Sequence, residues 1–287
     1  MMTPLVLPPT PNPSPRGGGE QREILQKSLS PFMGRGWGGV LKKHLANLVV
    51  LAVCSLAAIP AQAVEIQRVI SDGGIEAWLV EQHTVPLIAM DFAFRGGAKL
   101  DPREKIGLAN LASGLIDEGA GELDSKAFQQ RLEELAIRLK FNASRDAFYG
   151  SLQTLTENRD EAFRLTRLAL SSPRFDAEPI ERIKAQVLSG LQQSAEDPDE
   201  IAAKAWFQTA FPEHPYGRPI EGDAQSVARI DAADLRGFAA RQFARRRLVV
   251  SVAGDIAAGA LKTLLDAAFG GLPVGQPHPD PAPTAPQ

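Results

Sequence analysis

The chain predicts an α+β fold, one domain in which a largely antiparallel sheet is packed with helices. Two observations carry this. Strand-type alternation and helix-type periodicity come in blocks instead of a strict β-α-β alternation. The composition, 44% hydrophobic and 23% charged, is that of an ordinary globular domain.

The elements follow in order. "IQRVI" and "IEAWLVEQ" flank Asp72-Gly73-Gly74, a hairpin signal, and "LIAMDFAF" reads as a third strand. A helix is expected over 106–117, ended by Gly119 and Gly121, and a second over "SKAFQQRLEELA" with Ser125 as its cap. "IRLKFNAS" and "AFYGSLQTL" alternate as two antiparallel strands. Helices are expected over 159–170, 177–195 and 200–210, with Ile180, Ile183, Val187 and Leu191 striping the second of these. The segment "FPEHPYGRPIEGD" reads as a loop. A helix at 232–243, the strand "RLVVSVAGD" and a helix at 259–269 complete the domain. No short internal repeat is present.

The ends differ in composition. Residues 1–39 are rich in Pro, Gly and Ser and are expected to be a disordered leader, with Met1, Met33 and Val40 as alternative starts. Residues 40–63 have the parts of a secretory signal: Lys42 and Lys43, a short apolar run from Leu48 to Ala58, and the small-x-small site Ala61-Gln62-Ala63. The run is short for a membrane span, so export to the periplasm with cleavage is expected, and anchoring through residues 41–59 is the alternative. Cys54, the single cysteine, lies in this signal, so no disulfide framework forms. Residues 1–63 hold six of the 31 Lys/Arg and two of the 34 Asp/Glu, leaving 25 basic against 32 acidic residues, formally -7. That charge excludes a broad nucleic-acid footprint. Residues 274–287 have a Pro-rich linker composition.

The stretch "KIGLANLASGLIDEGAG" is the candidate site. Leu108, Leu111, Ala112 and Leu115 form its apolar face, beside which Asn110, Ser113 and Gly114 share one turn. Ser113 has no histidine base nearby in sequence. Asp117, Glu118 and Glu122 read as a solvated helix end. Arg241, Arg245, Arg246 and Arg247 read as a basic helix end suited to the dipole. "GDIAAGALK" lacks the Lys and Ser/Thr of a phosphate loop and reads as a turn into a helix. His83, His214 and His278 show no ligand spacing.

The order and spacing of "VPLIAMDFAFRGGAKLDPREKIGLANLASGLIDEG", "EDPDE" and "HPYGRPIEGDAQSVARIDAADLRGFAARQFARRRLVVSVAGDI" resemble the pitrilysin/insulinase family of zinc metallopeptidases. The likeness is to its processing-peptidase-like branch and covers residues 66–272. It implies a family domain over 64–273, with 64–212 as its first part and 213–273 as the start of the second family segment. Active members carry H-x-x-E-H, in which two histidines one turn apart grip zinc and the glutamate polarises water. A second glutamate completes the ligands. The matching positions here are Asn110, Ser113 and Gly114, and counting back from Pro198 puts the distal ligand at Gly190. None can replace an imidazole or a carboxylate, so the resemblance implies a chain without catalytic or metal-binding residues of its own. It further implies a non-catalytic partner subunit of an exported zinc peptidase. Such a subunit would supply chamber wall and contacts for unfolded or extended peptides to a zinc-bearing sibling. The alternatives are a truncated fragment without independent function and a stand-alone peptide-binding or assembly module.

Overall fold

The computed structural model describes residues 65–276. The leader, the signal with its cleavage site at Ala61 and Ala63, and most of the terminal linker lie outside these residues. Six strands form one sheet: β1 (Gln67–Ile70), β2 (Glu76–Glu81), β3 (Leu87–Arg95), β4 (Arg138–Ala143), β5 (Ala147–Leu155) and β6 (Leu248–Gly254). Their order is β1-β2-β6-β3-β5-β4. Every neighbouring pair is antiparallel except β2 with β6. The fold is therefore α+β, as expected.

Eight helices occur among the described residues: α1 (Leu108–Ser113), α2 (Ser125–Glu134), α3 (Arg159–Ser171), α4 (Ala177–Ser194), α5 (Pro198–Ala210), α6 (Ala224–Arg229), α7 (Ala232–Gln242) and α8 (Ala258–Phe269). The core lies between the helices and one face of the sheet. Alternation selects that face: Ile88, Met90, Phe92 and Phe94 of β3 are buried, whereas Leu87, Asp91 and Arg95 are exposed. Phe92 packs edge-on against Phe269 of α8 at 5.3 Å between centroids and against Phe141 of β4 at 6.1 Å. Opposite Phe92 in the register stands Gly150. A Cβ there would lie 2.1 Å from the Phe92 ring, so the missing side chain is what admits the phenyl group.

Several boundaries move from those the sequence suggests. The α2 cap is Asp124, whose carboxylate accepts from the Ala127 N–H at 2.8 Å. Ser125 is the helix's first residue and instead donates its hydroxyl to Glu118. Helix α5 starts at Pro198 behind the Asp197 cap, earlier than expected. The 211–223 segment contains a 3-10 turn, Pro215–Gly217. Helix α6 was not expected, although Asp223 and Ser226 form a reciprocal capping box there. On α4 the apolar stripe is shallow: Ile180 is buried, while Ile183, Val187 and Leu191 are half-buried.

Gly150→Ala should destabilise the domain by about 1–3 kcal/mol, because the added methyl must displace the Phe92 ring. Urea unfolding would read this as a lower midpoint, and an unchanged midpoint would contradict the packing described.

Candidate functional site

Helix α1 is held by its N-terminal end. Gly107 precedes it with φ +95, and a Cβ there would meet the Glu221 carbonyl oxygen at 2.6 Å, so the position requires glycine. The buried Asp101 carboxylate accepts from the N–H groups of Gly107 at 3.1 Å and Ala109 at 3.2 Å. It thereby satisfies donors that a helix start leaves open. Burial pushes the Asp101 carboxyl up to about 7, against the opposing pull of those N–H groups and the Arg218 charge.

The α-helix is shorter than the expected 106–117. It ends at Ser113 with Gly114 as its cap, and looser turns carry the chain to Asp117. Glycine is a poor helix interior residue; after it, the Leu115 N–H bonds to Ala112, a tighter 3-10 contact. Leu108, Leu111, Ala112 and Leu115 are buried as their spacing requires.

The structure brings Asn110, Ser113 and Gly114 together on one turn. Asn110 is half-buried. Ser113 is buried and donates its hydroxyl to the Asn110 carbonyl at 2.7 Å. A Cβ on Gly114 would stand 3.1 Å from Ile183 Cγ2 of α4, so the position that would face a metal is packed against an aliphatic side chain. Gly190 lies about 10 Å further along α4, two turns past Ile183. It is exposed, with no atom within 4 Å of its would-be Cβ. This donor set does not fit zinc, which requires imidazole, thiolate or carboxylate ligands. Among the described residues no group of three or more His, Cys, Asp or Glu could hold a metal ion.

The remaining sequence candidates are structural. Glu118 is not solvated: it pairs with Arg182 of α4 at 2.6 Å and takes the Ser125 hydroxyl bond, tying the turns after α1 to α2 and α4. Asp117 is half-buried, and burial raises its carboxyl to about 6. The basic run is not one helix end. Arg245–Arg247 form a 3-10 turn beyond α7, with Arg247 buried against Gln242 at 3.2 Å and Arg245 donating to the Gly73 carbonyl at 3.2 Å. Gly254 ends β6 and the chain turns into α8, as "GDIAAGALK" suggests. His83 lies on the surface, 2.7 Å from Asp255, and His214 caps the 3-10 turn by accepting from the Tyr216 N–H at 3.2 Å. His278 lies outside the described residues.

The partner-subunit reading expects an exposed apolar face, but the sequence did not locate it, and two surfaces come into view only in the structure. No described helix covers the other face of the sheet. Trp78 there is 46% exposed, and Val249 and Tyr149 are also exposed. A shallow hollow of about 570 Å³ opens among Asp91, Ala93, Lys140, Tyr149, Val249 and Ser251. The second is a cleft of about 610 Å³ between the end of α4, helix α5 and the 217–222 loop. Of the α5 residues only Ala210 is buried, and Trp206 is 57% exposed. Arg145 and Arg218, from segments far apart in the chain, both line this cleft.

Asp101 makes stability depend on pH. Its carboxyl titrates near 7 in the folded chain and at the ordinary carboxylate value when unfolded. The folded state therefore keeps a proton that the unfolded state has lost. This contribution is complete below about pH 4 and declines by up to about 1.4 kcal/mol per pH unit as pH rises towards 7. Subtracting the urea-unfolding profile of Asp101→Asn from that of the native chain should expose this slope; parallel profiles would refute it. Gly190→Ala, on the open side of α4, should raise stability by about 0.5–1 kcal/mol in the same assay.

Comparison with known proteins agrees with this geometry. The sequence pattern of the insulinase family (peptidase family M16) matches residues 79–224. The chain is 32% identical over 201 residues to a protein of Helicobacter pylori described as the non-peptidase homolog YmxG, covering 70% of this chain and 46% of that one. It is 25% identical over 160 residues to the probable mitochondrial-processing peptidase subunit beta of Arabidopsis thaliana, covering 56% of this chain and 30% of that protein. A solved peptidase M16 inactive domain from Pseudomonas fluorescens superposes with a TM-score of 0.71 at 26% identity, covering 75% of this chain and 53% of that one. The chain thus spans about half the length of the first of these relatives and of the solved structure. No described helix is long and apolar enough to cross a membrane. With its sheet order, its shortened motif helix and these likenesses agreeing, the chain belongs to the insulinase (peptidase M16) family.

Proposed function

We propose that this chain is a non-catalytic subunit of an exported zinc peptidase of its own family, working beside a zinc-bearing sibling in the periplasm. The observation that carries the reading is the motif turn itself, where Asn110, Ser113 and Gly114 stand in place of ligands and Gly114 packs on Ile183. Without a bound metal, the family's means of making a nucleophile from water is gone. What the chain can still offer is surface. The sheet face away from the helices exposes Trp78, Tyr149 and Val249, and helix α5 exposes Ile201 and Trp206. In this reading those surfaces form chamber wall and partner contacts, and unfolded or extended peptide is the substrate they help to hold. The names of two relatives, a non-peptidase homolog and a peptidase subunit, fit a division of labour between a metal-bearing and a metal-free chain. Zinc belongs to the sibling, and the mature chain begins after Ala63.

The test is to purify the zinc-bearing sibling and measure its specific activity on an unfolded peptide with and without this chain. Activity should rise on addition and the two proteins should co-elute. Equal activity and separate elution would overturn the reading.

A further inference from the structure

The cleft beside α5 has a chemistry that the motif helix lacks. Arg145 is held on two sides: its guanidinium carbon stands 3.6 Å from the centroid of the Phe207 ring, and its Nε donates to the Tyr216 carbonyl at 3.1 Å. Arg218 is fixed by an Nη1 bond to the Asp101 carbonyl at 2.9 Å. Both are half-buried. Each is oriented by a backbone carbonyl, while the carboxylates of Glu221 and Asp146 act on Arg145 from a distance and those of Asp101 and Glu104 act on Arg218. Burial lowers both from the ordinary arginine value, the sign of charge held partly out of water. Guanidiniums oriented in this way present a planar fork for an oxyanion.

The rest of the lining narrows the ligand. Lys204 adds a positive charge, while Glu200 and Glu221 are exposed carboxylates, which leaves one net positive charge. That balance suits a singly charged carboxylate better than a doubly charged phosphate. Leu191, Ile201 and Phe207 supply apolar wall, and at about 610 Å³ the space exceeds a lone anion. We propose that this cleft binds a carboxylate carried by an extended peptide, with Arg145 and Arg218 taking the carboxylate and Leu191, Ile201 and Phe207 taking the apolar side chain next to it. The carboxylate is a peptide's C-terminus or an acidic side chain, and the two share the same recognition.

The inference rests on the reading that this chain contacts peptide, and its test is separate from the sibling's activity. A short fluorescein-labelled alanine peptide ending in leucine is titrated into the full chain, with anisotropy as the readout. Three forms are used: the free acid, the C-terminal amide, and the amide carrying one internal glutamate. At least one of the two carboxylate-bearing peptides should bind roughly tenfold more tightly than the plain amide, as expected for charge-assisted hydrogen bonds. If the glutamate-bearing amide alone binds more tightly than the plain amide, the site reads acidic side chains; if only the free acid does, it reads C-termini. Arg218→Gln should erase the difference between charged and uncharged peptides, and Arg218→Lys should keep part of it. Equal binding of all three peptides to the unmodified chain, which needs no variant to fold, would overturn the proposal. So would an undiminished difference in a folded Arg218→Gln chain. Stimulation of the sibling with all three peptides equal would sink the cleft alone, while a difference among peptides without stimulation would sink only the subunit reading.

Discussion

A six-stranded sheet covered on one face only is the constraint from which the rest of this domain follows. Every strand alternates, so covering one face forces Ile88, Met90, Phe92 and Phe94 inward and leaves the opposite set unsheltered. Phe92 is the centre of the covered side. It reaches Phe269 on α8 and Phe141 on β4 because Gly150 yields the space across the strand pair. Once that layer is filled, α3, α7 and α8 have fixed seats. The short α1 is then caught between the sheet and α4, and its contacts decide what it can do.

At α1 two physical demands meet. The helix start must satisfy its N–H groups away from solvent, and the buried Asp101 does so at the expense of an elevated carboxyl pKa. The helix end must pack against α4, and Gly114 allows Ile183 to approach. A histidine at position 114 would need that space for an imidazole. The close contact with an aliphatic side chain and the absence of ligand chemistry are thus one fact seen from two sides. Glu118 completes the arrangement: a carboxylate in the former site's neighbourhood is committed to Arg182 and Ser125 and so to architecture.

Much of this was legible in the sequence because it is local. The alternation of "LIAMDFAF", the hairpin at Asp72-Gly73-Gly74 and the run of α3 each follow from spacing within a few residues. That Asn110, Ser113 and Gly114 share one turn was legible too, because their spacing is helical. What could not be read depends on competition or distance. Asp124 and Ser125 are both good caps, and only backbone geometry makes Asp124 the cap. Helix α6 is six residues long, too short to show a period, although Asp223 and Ser226 had the spacing of a capping box. Glu118 looked solvated because Arg182 is remote in sequence, and Arg145 and Arg218 meet one cleft only through the tertiary fold.

The same distinction bears on where function resides in a domain whose motif turn holds no zinc-type donor. A zinc motif concentrates its chemistry in one turn, and here the matching turn holds Asn110, Ser113 and Gly114 instead of imidazole and carboxylate groups. In the proposed role, recognition of peptide is spread over surfaces that also serve the fold. Arg145 anchors the 3-10 turn through Tyr216 and stacks on Phe207, while Arg218 bonds the chain at Asp101, the residue that holds α1. These arginines cannot be relaxed as freely as a ligand histidine, because altering them disturbs the packing around the motif helix. The Asp101–Arg218 contact joins the two regions: the residue whose carboxylate steadies α1 also fixes, through its carbonyl, one of the cleft's arginines.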